Sequence, residues 1–284
     1  MIKVLKSGFY TSIQDLGRVG FLKYGVPRSG AMDLYSAGIA NALLGNEGSC
    51  AVMEITMTGP VLQFESSTSI CISGANLSPK LNQQPVVMNK EVSVVKGDVL
   101  SFGVLKFGFR CYMAVLDGFK MDVVMQSQSM YKNITNQSVV AKNDMLPISK
   151  SQRFLSKKNA LLKIAPAYFE TSQIDVFKGP EFNRLSRKQK DLVFSKTFQI
   201  SKNNNRMAYQ LEGFFENSLP SIITSGVLPG TVQLTPSGAL IVLMRDCQTT
   251  GGYPRILQLK ESANNVLAQK FTGHDVHFNL VDAY

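Results

Sequence analysis

The stretch MRDCQTTGGYPR, residues 244–255, gathers more reactive side chains in less space than any other part of this chain. It follows ALIVLM, an apolar run that reads as a buried strand, so polar groups arrive abruptly at a strand end. Asp246, Gln248, Thr249 and Thr250 supply acceptors and donors ahead of Tyr253. Gly251 and Gly252 have no Cβ, which lets backbone approach a ligand closely. The same residues also suit a tight turn whose polar groups cap one another, and spacing alone leaves both readings open.

Two further stretches carry comparable chemistry. In NNRMAYQLEG, residues 204–213, Arg206 offers a planar fork suited to a carboxylate, phosphate or carbonyl, and Glu212 could orient it or act as a base. A surface ion pair would be spelled the same way. In QDLGRVGFLKYGVPRSGAMD, residues 14–33, Asp15, Arg18, Arg28 and Asp33 stand among four glycines and a proline, and Glu54 follows in the next expected strand. So much turn chemistry describes a shaped loop rather than a tail, although each charge taken singly is more often structural.

The elements that must position these residues are mostly strands. Short β-branched or aromatic runs bounded by Gly, Asn or Pro occur at VMEITM, GPVLQF, SICISG, EVSVV, DVLSFG and CYMAVL, and again at LLKIA, IDVFKG, ITSGV, TVQLT, ALIVLM, RILQL and HDVHFNLV. Two helices are expected. The first runs over 31–44, capped by Ser29 and stopped by Gly45; the second runs over 187–196, with Ser186 and Gln189 forming a capping box. The pattern is mainly β, in two halves with a short helix each. The boundary is placed between 155 and 156, giving domains 1–155 and 156–284.

Composition narrows the function classes. With 284 residues, 44% of them hydrophobic and 18% charged, the chain can bury a sizeable core and lies outside the disordered range. No apolar run approaches a bilayer's thickness and the first residues lack a signal-peptide core, so a cytoplasmic protein without a membrane partner is expected. Cys50, Cys71, Cys111 and Cys247 form no CxxC pair and read as reduced, buried thiols. Neither GxxxxGK[ST] nor GxGxxG is present. His274 and His277 fall on opposite faces of an expected strand, so no metal site is expected. Of the net charge of +10, residues 142–206 supply +9, from 14 basic and five acidic residues. That window is a candidate docking face or simply a solvated one, and without interleaved aromatics it does not indicate nucleic acid.

In combination, QDLGRVGFLKYGVPRSGAMD, the helix ending LLGN, MEITMTGPVLQF, SGANL, GPEF, NNRMAYQLEG, ITSGVLPGTVQLTPSG and DCQTTGGYPR resemble the biotin-dependent carboxyltransferase family across essentially the whole chain. That family includes the 5-oxoprolinase C-subunit, the allophanate hydrolase subunit 2-like portion of urea amidolyase, and kinase-inhibitor antagonist proteins. The resemblance implies two cyclophilin-like β-barrel domains. It also implies an enzyme subunit for ATP-dependent hydrolysis of 5-oxoproline to glutamate, active with companion subunits A and B. The alternatives are the carboxyltransferase part of a urea or amide carboxylase, and a non-catalytic antagonist that binds a kinase-inhibitor protein.

With no standard phosphate loop, ATP is expected to be held together with a partner. Phe119-Lys120-Met121 is only a fragment of a biotin-acceptor motif, so biotin would arrive on a separate carrier. For a lactam or amide substrate, Arg206 is expected to hold an anionic group. Gln248, Thr249, Gly251 and Gly252 would stabilise charge on the carbonyl oxygen, and Asp246 or Glu212 would handle a proton. Thr250, Tyr253, Arg18 and Asp15 complete the expected binding set. Members of the family often carry a basic residue at the position of Cys247 and a small one at that of Arg245. On an extended strand those two positions share a face, so a charge moved by two residues would keep its direction.

Overall fold

A computed structural model describes residues 1–149, 161–213 and 216–282. The chain divides into two compact units, one comprising Met1–Arg18 with Ser29–Phe169 and the other Val19–Arg28 with Glu170–Tyr284. The boundary expected between 155 and 156 lies outside the described residues.

In the first unit, two sheets enclose one core. A five-stranded sheet runs in the order Tyr10–Gln14, Val52–Thr56, Phe107–Val115, Thr68–Asn76 and Glu91–Val94. A six-stranded sheet runs Met145–Leu146, Ile2–Lys6, Val61–Phe64, Val99–Ser101, Lys80–Leu81 and Gln84–Pro85. Side chains alternate along a strand, and the consequence is visible in the five-stranded sheet. Ile70, Ile72, Cys111, Met113 and Val115 point into the core with Ile2, Val4, Leu62 and Phe64. Cys71, Tyr112 and Ala114 face the other way and are covered by Ala37, Ala40 and Leu44 of helix α1 (Leu34–Leu44). With both faces covered, these strands lose the hydrophobic-polar alternation of a half-exposed sheet.

Helix α1 begins three residues later than the sequence suggests. Asp33 is its cap, accepting from the Ser36 amide at 3.0 Å and the Ser36 hydroxyl at 2.6 Å, and Gly45 ends it at φ +70°. Ser29, the expected cap, is buried at φ +57° inside the preceding turn and cannot reach the first helical amides. LLKIA also departs from expectation, because residues 161–166 carry no strand and lead into a helical turn, α2 (Ala167–Glu170).

The second unit is a closed barrel, in the order Gln173–Lys178, Arg255–Leu259, Thr231–Leu234, Leu240–Leu243, Ala208–Glu212, Phe198–Asn204 and Asp275–Leu280. A parallel pairing of Gln173–Val176 with His277–Leu280 closes it. Helix α3 (Arg187–Ser195) carries the expected capping box, in which the Ser186 hydroxyl accepts from the Gln189 amide and the Gln189 side chain accepts from the Ser186 amide. A further helix, α4 (Glu261–Leu267), has no side-chain cap hydrogen bond, and therefore no cap signal marks it in the sequence. Among the described residues no helix is long and apolar enough to cross a membrane.

Candidate functional site

The richest polar constellation in the second unit lies where the Leu240–Leu243 strand ends. Arg206, just ahead of the Ala208–Glu212 strand, donates through Nε to Asp246 Oδ2 at 2.8 Å and through Nη2 to Asp246 Oδ1 at 3.0 Å. Arg206 and Asp246 are 6% and 7% exposed, and the Asp246 amide donates to the Arg206 carbonyl at 2.9 Å, so backbone and side chains lock the two segments together. The expected fork is present, and its bidentate partner is the carboxylate two residues before Gln248.

The Gln248–Tyr253 stretch is a small hairpin arm. Thr250 and Gly251 pair with Gly226 and Ser225, the Val227 amide donates to the Thr249 carbonyl at 3.1 Å, and the Ile222 amide donates to the Gly252 carbonyl at 2.9 Å. Gln248 and Thr249 are half-buried, whereas Thr250 and Tyr253 are exposed. A Cβ on Gly251 would lie 2.5 Å from Gln233 Nε2, so the end of that side chain would have to shift. That buried nitrogen has no hydrogen-bond partner among the described residues.

Glu181 and Arg255 hold this arm. Arg255 Nε and Nη2 donate to the two Glu181 oxygens at 2.9 Å each, its amide donates to Glu181 Oε2 at 2.9 Å, and its Nη1 reaches the Gly226 carbonyl at 3.0 Å. The hydrogen bond from Arg255 keeps the Glu181 carboxyl below its usual range, and Glu181 in turn raises Arg255. Both residues sit inside the GPEF and GGYPR blocks, so their types were in view while their pairing was not. Arg255 reaches Glu181 only because its strand pairs with Gln173–Lys178, the strand that leads into Glu181.

Glu212 stands apart. It is exposed at the far end of its strand, paired with Gln199, about 13 Å along the backbone from Ala208 at a normal strand rise. Arg245 and Cys247 do not lie on an extended strand, since the strand stops at Leu243 and a turn follows. Their side chains therefore diverge: Arg245 pairs with Glu261 of α4, and Cys247 packs with Val227 and Leu243. Burial, with Asp246 close by, pushes the Cys247 thiol up to about 12.

Asp15 and Arg18 belong to the first unit, where they fasten the opening loop. Asp15 Oδ1 accepts from the Gly17 amide at 2.8 Å and from the Ser127 and Ser129 hydroxyls at 2.7 and 2.6 Å, while Oδ2 accepts from the Gln128 amide at 2.6 Å. Buried Arg18 donates to the Ser129 carbonyl. A second buried network joins Glu54 to the Met32 amide at 2.7 Å, the Tyr112 hydroxyl at 2.9 Å and Arg110 at 3.7 Å. Burial first, and then Glu54 and Asp33, push the Tyr112 phenol well up. Tyr112 lies inside CYMAVL, which reads simply as a strand, and Arg110 immediately precedes that run; nothing local distinguished them.

His274 packs against Phe271 with the two rings tilted by 44°, and His277 sits between the Thr197 and Ser172 hydroxyls. Among the described residues no group of three or more His, Cys, Asp or Glu side chains is placed to hold a metal. The helix termini bear on phosphate binding. Asp33 accepts from the Ser36 amide of α1 and Ser186 from the Gln189 amide of α3, so in both a side chain of the protein itself sits at the N-terminus where a phosphate would bind.

The family model for the carboxyltransferase domain, subdomains A and B, matches residues 24–280. The chain belongs to this carboxyltransferase domain family. Its relatives include the 5-oxoprolinase C-subunit of Escherichia coli (strain K12), 32% identical over 284 residues that cover 98% of this chain and 90% of that protein. The Haemophilus influenzae protein of the same name is 29% identical over 288 residues, covering 99% of this chain and 91% of the relative. Among solved structures, Kluyveromyces lactis urea carboxylase superposes with a TM-score of 0.88 at 25% identity, over 99% of this chain and 27% of that one. Membership in the carboxyltransferase domain family accounts for the mainly β architecture in two units.

Proposed function

We propose that this chain is a subunit of a multi-chain ATP-dependent 5-oxoprolinase, which hydrolyses 5-oxo-L-proline to L-glutamate with companion subunits A and B. The observation that carries this reading is the near end-to-end similarity to two proteins named as C-subunits of 5-oxoprolinase. ATP is assigned to a site shared with a partner, in keeping with a sequence that carries no standard phosphate loop.

In this reading Arg206 and Asp246 act as a pair. Tied through both side-chain oxygens, Asp246 fixes the base of the 248–253 arm, and Arg206 balances its charge. Gln248, Thr249, Gly251 and Gly252 take the lactam carbonyl, with Thr250 and Tyr253 at the rim, where charge on the oxygen is stabilised by donors already fixed in place. Asp15 and Arg18 shape the opening loop. Glu212, exposed and remote along its strand, is given no proton-transfer role.

The test is reconstitution with the purified companion subunits, ATP and 5-oxoproline. Glutamate release that requires this chain supports the reading; release that proceeds equally without it overturns the reading. The likeness to urea carboxylase favours a second one, a carboxyltransferase working with carboxybiotin on a separate carrier. Carboxylation of urea by a biotinylated carrier, with no glutamate release from 5-oxoproline, would establish that alternative. An antagonist without catalysis would show neither activity.

A further inference from the structure

The surface around α3 is predominantly basic. Lys178, Arg184, Arg187 and Lys188 are exposed there and Lys190 is half-buried. The ammonium groups of Lys178 and Lys190 lie 5.6 and 5.5 Å from the centre of the Phe182 ring, which anchors both from beneath. Glu181, the acid that adjoins them in sequence, is turned away and consumed by Arg255. Asp191 and Glu216 are the acidic residues beside the patch, Asp191 on α3 and Glu216 through its carbonyl, which accepts from Gln189 at 2.9 Å. The capping box holds α3, so these cations are mounted on an ordered element rather than a free tail.

We propose that this face docks an acidic surface of a companion protein subunit; the inference rests on the multi-subunit reading above. Two features favour a protein over other polyanions. Phe182, the ring beneath the two ammoniums, is 5% exposed, so its face is not open for stacking with a nucleic-acid base. Val193 is buried and Leu192 and Phe194 are partly buried, which leaves α3 without the broad exposed apolar face that membrane insertion requires. Rim charges of this kind steer encounter and set salt sensitivity.

The experiment compares the full chain with a variant carrying Arg184→Glu, Arg187→Glu and Lys188→Glu, and with a control carrying Lys96→Glu, Lys106→Glu and Lys132→Glu, exposed positions in the first unit. Binding to the purified companion subunits is measured beside binding to polyuridine RNA and to phosphatidylserine vesicles, with thermal melts to show that each variant folds. The milder serine versions of the same α3 substitutions stand in if the reversal does not. Affinity for the companions is expected to fall about tenfold or more between low and high salt, and by a similar factor in the α3 variant, while the control binds as the parent does. Equal binding by the α3 variant overturns the proposal, as does a loss confined to RNA or vesicles. Glutamate release with an unchanged affinity in the variant would sink the docking face and leave the enzymatic reading standing. Salt-sensitive docking without glutamate release would do the reverse.

Discussion

Arg206 and Asp246 are each more than nine-tenths buried, and together they satisfy one another through two hydrogen bonds. Replacing Asp246 by Asn therefore leaves a guanidinium in a water-poor place without its bidentate counter-charge. Denaturant titration should show a loss of about 3 kcal/mol or more, larger than that of the double variant Asp246→Asn/Arg206→Gln. Glu181 gives a pH-dependent counterpart. Its folded-state carboxyl titrates below the ordinary value of 4.5, so the unfolded chain takes up the proton first. The pair's contribution is complete above that value and disappears as the pH falls through the lower, folded one. Glu181→Gln should accordingly destabilise by about 2 kcal/mol at neutral pH and lose that difference in acid, as followed by denaturation at a series of pH values.

Helices α1 and α3 show how much an element reveals about itself. Ser186 and Gln189 stand three apart before an amphipathic run, and that local signature specifies the start of α3 in sequence and structure alike. Ser186→Ala should lower the unfolding free energy by about 1 kcal/mol, and Ser186→Asp should restore most of it. For α1 the sequence points to Ser29, whereas Asp33 is the cap. The choice depends on Gly30 at φ +93° and on Asp33 being held by the Tyr112 hydroxyl, which accepts from its amide at 2.8 Å. Tyr112 lies 79 residues away, and no local rule weighs so distant a partner. LLKIA failed for a related reason: an apolar run becomes a strand only if a neighbour offers it a ladder.

At the scale of the whole molecule, each unit surrounds its own core, and the cysteines report on both. Burial pushes the Cys71 and Cys247 thiols up to about 12 and Cys111 higher still, whereas Cys50 is half-exposed with a smaller rise. Alkylation of the native protein at mildly alkaline pH should thus label Cys50 alone, and denaturation should expose all four thiols. Mass spectrometry of the two samples checks this. Early labelling of Cys247 would mean that the 248–253 arm opens readily from the barrel.

The capping of α3, many of the strands and the residue types of the candidate site were legible in the sequence, because each depends on neighbours a few positions apart, whereas the strands Ile2–Lys6, Tyr10–Gln14, Phe198–Asn204 and Ala208–Glu212 were not among those expected. Asp246, Gln248, Thr249, Gly251 and Arg206 could all be named as chemistry-bearing from their local setting. Tertiary structure alone decided that Arg206 spends its fork on Asp246, that Glu181 grips Arg255, that Glu212 faces away, and that Glu54 meets Tyr112 and Arg110. Arg206 and Asp246, Glu181 and Arg255, and Glu54 and Tyr112 are 40, 74 and 58 residues apart. Partner choice over such separations follows from barrel closure and sheet register, which place side chains opposite one another whatever their distance along the chain.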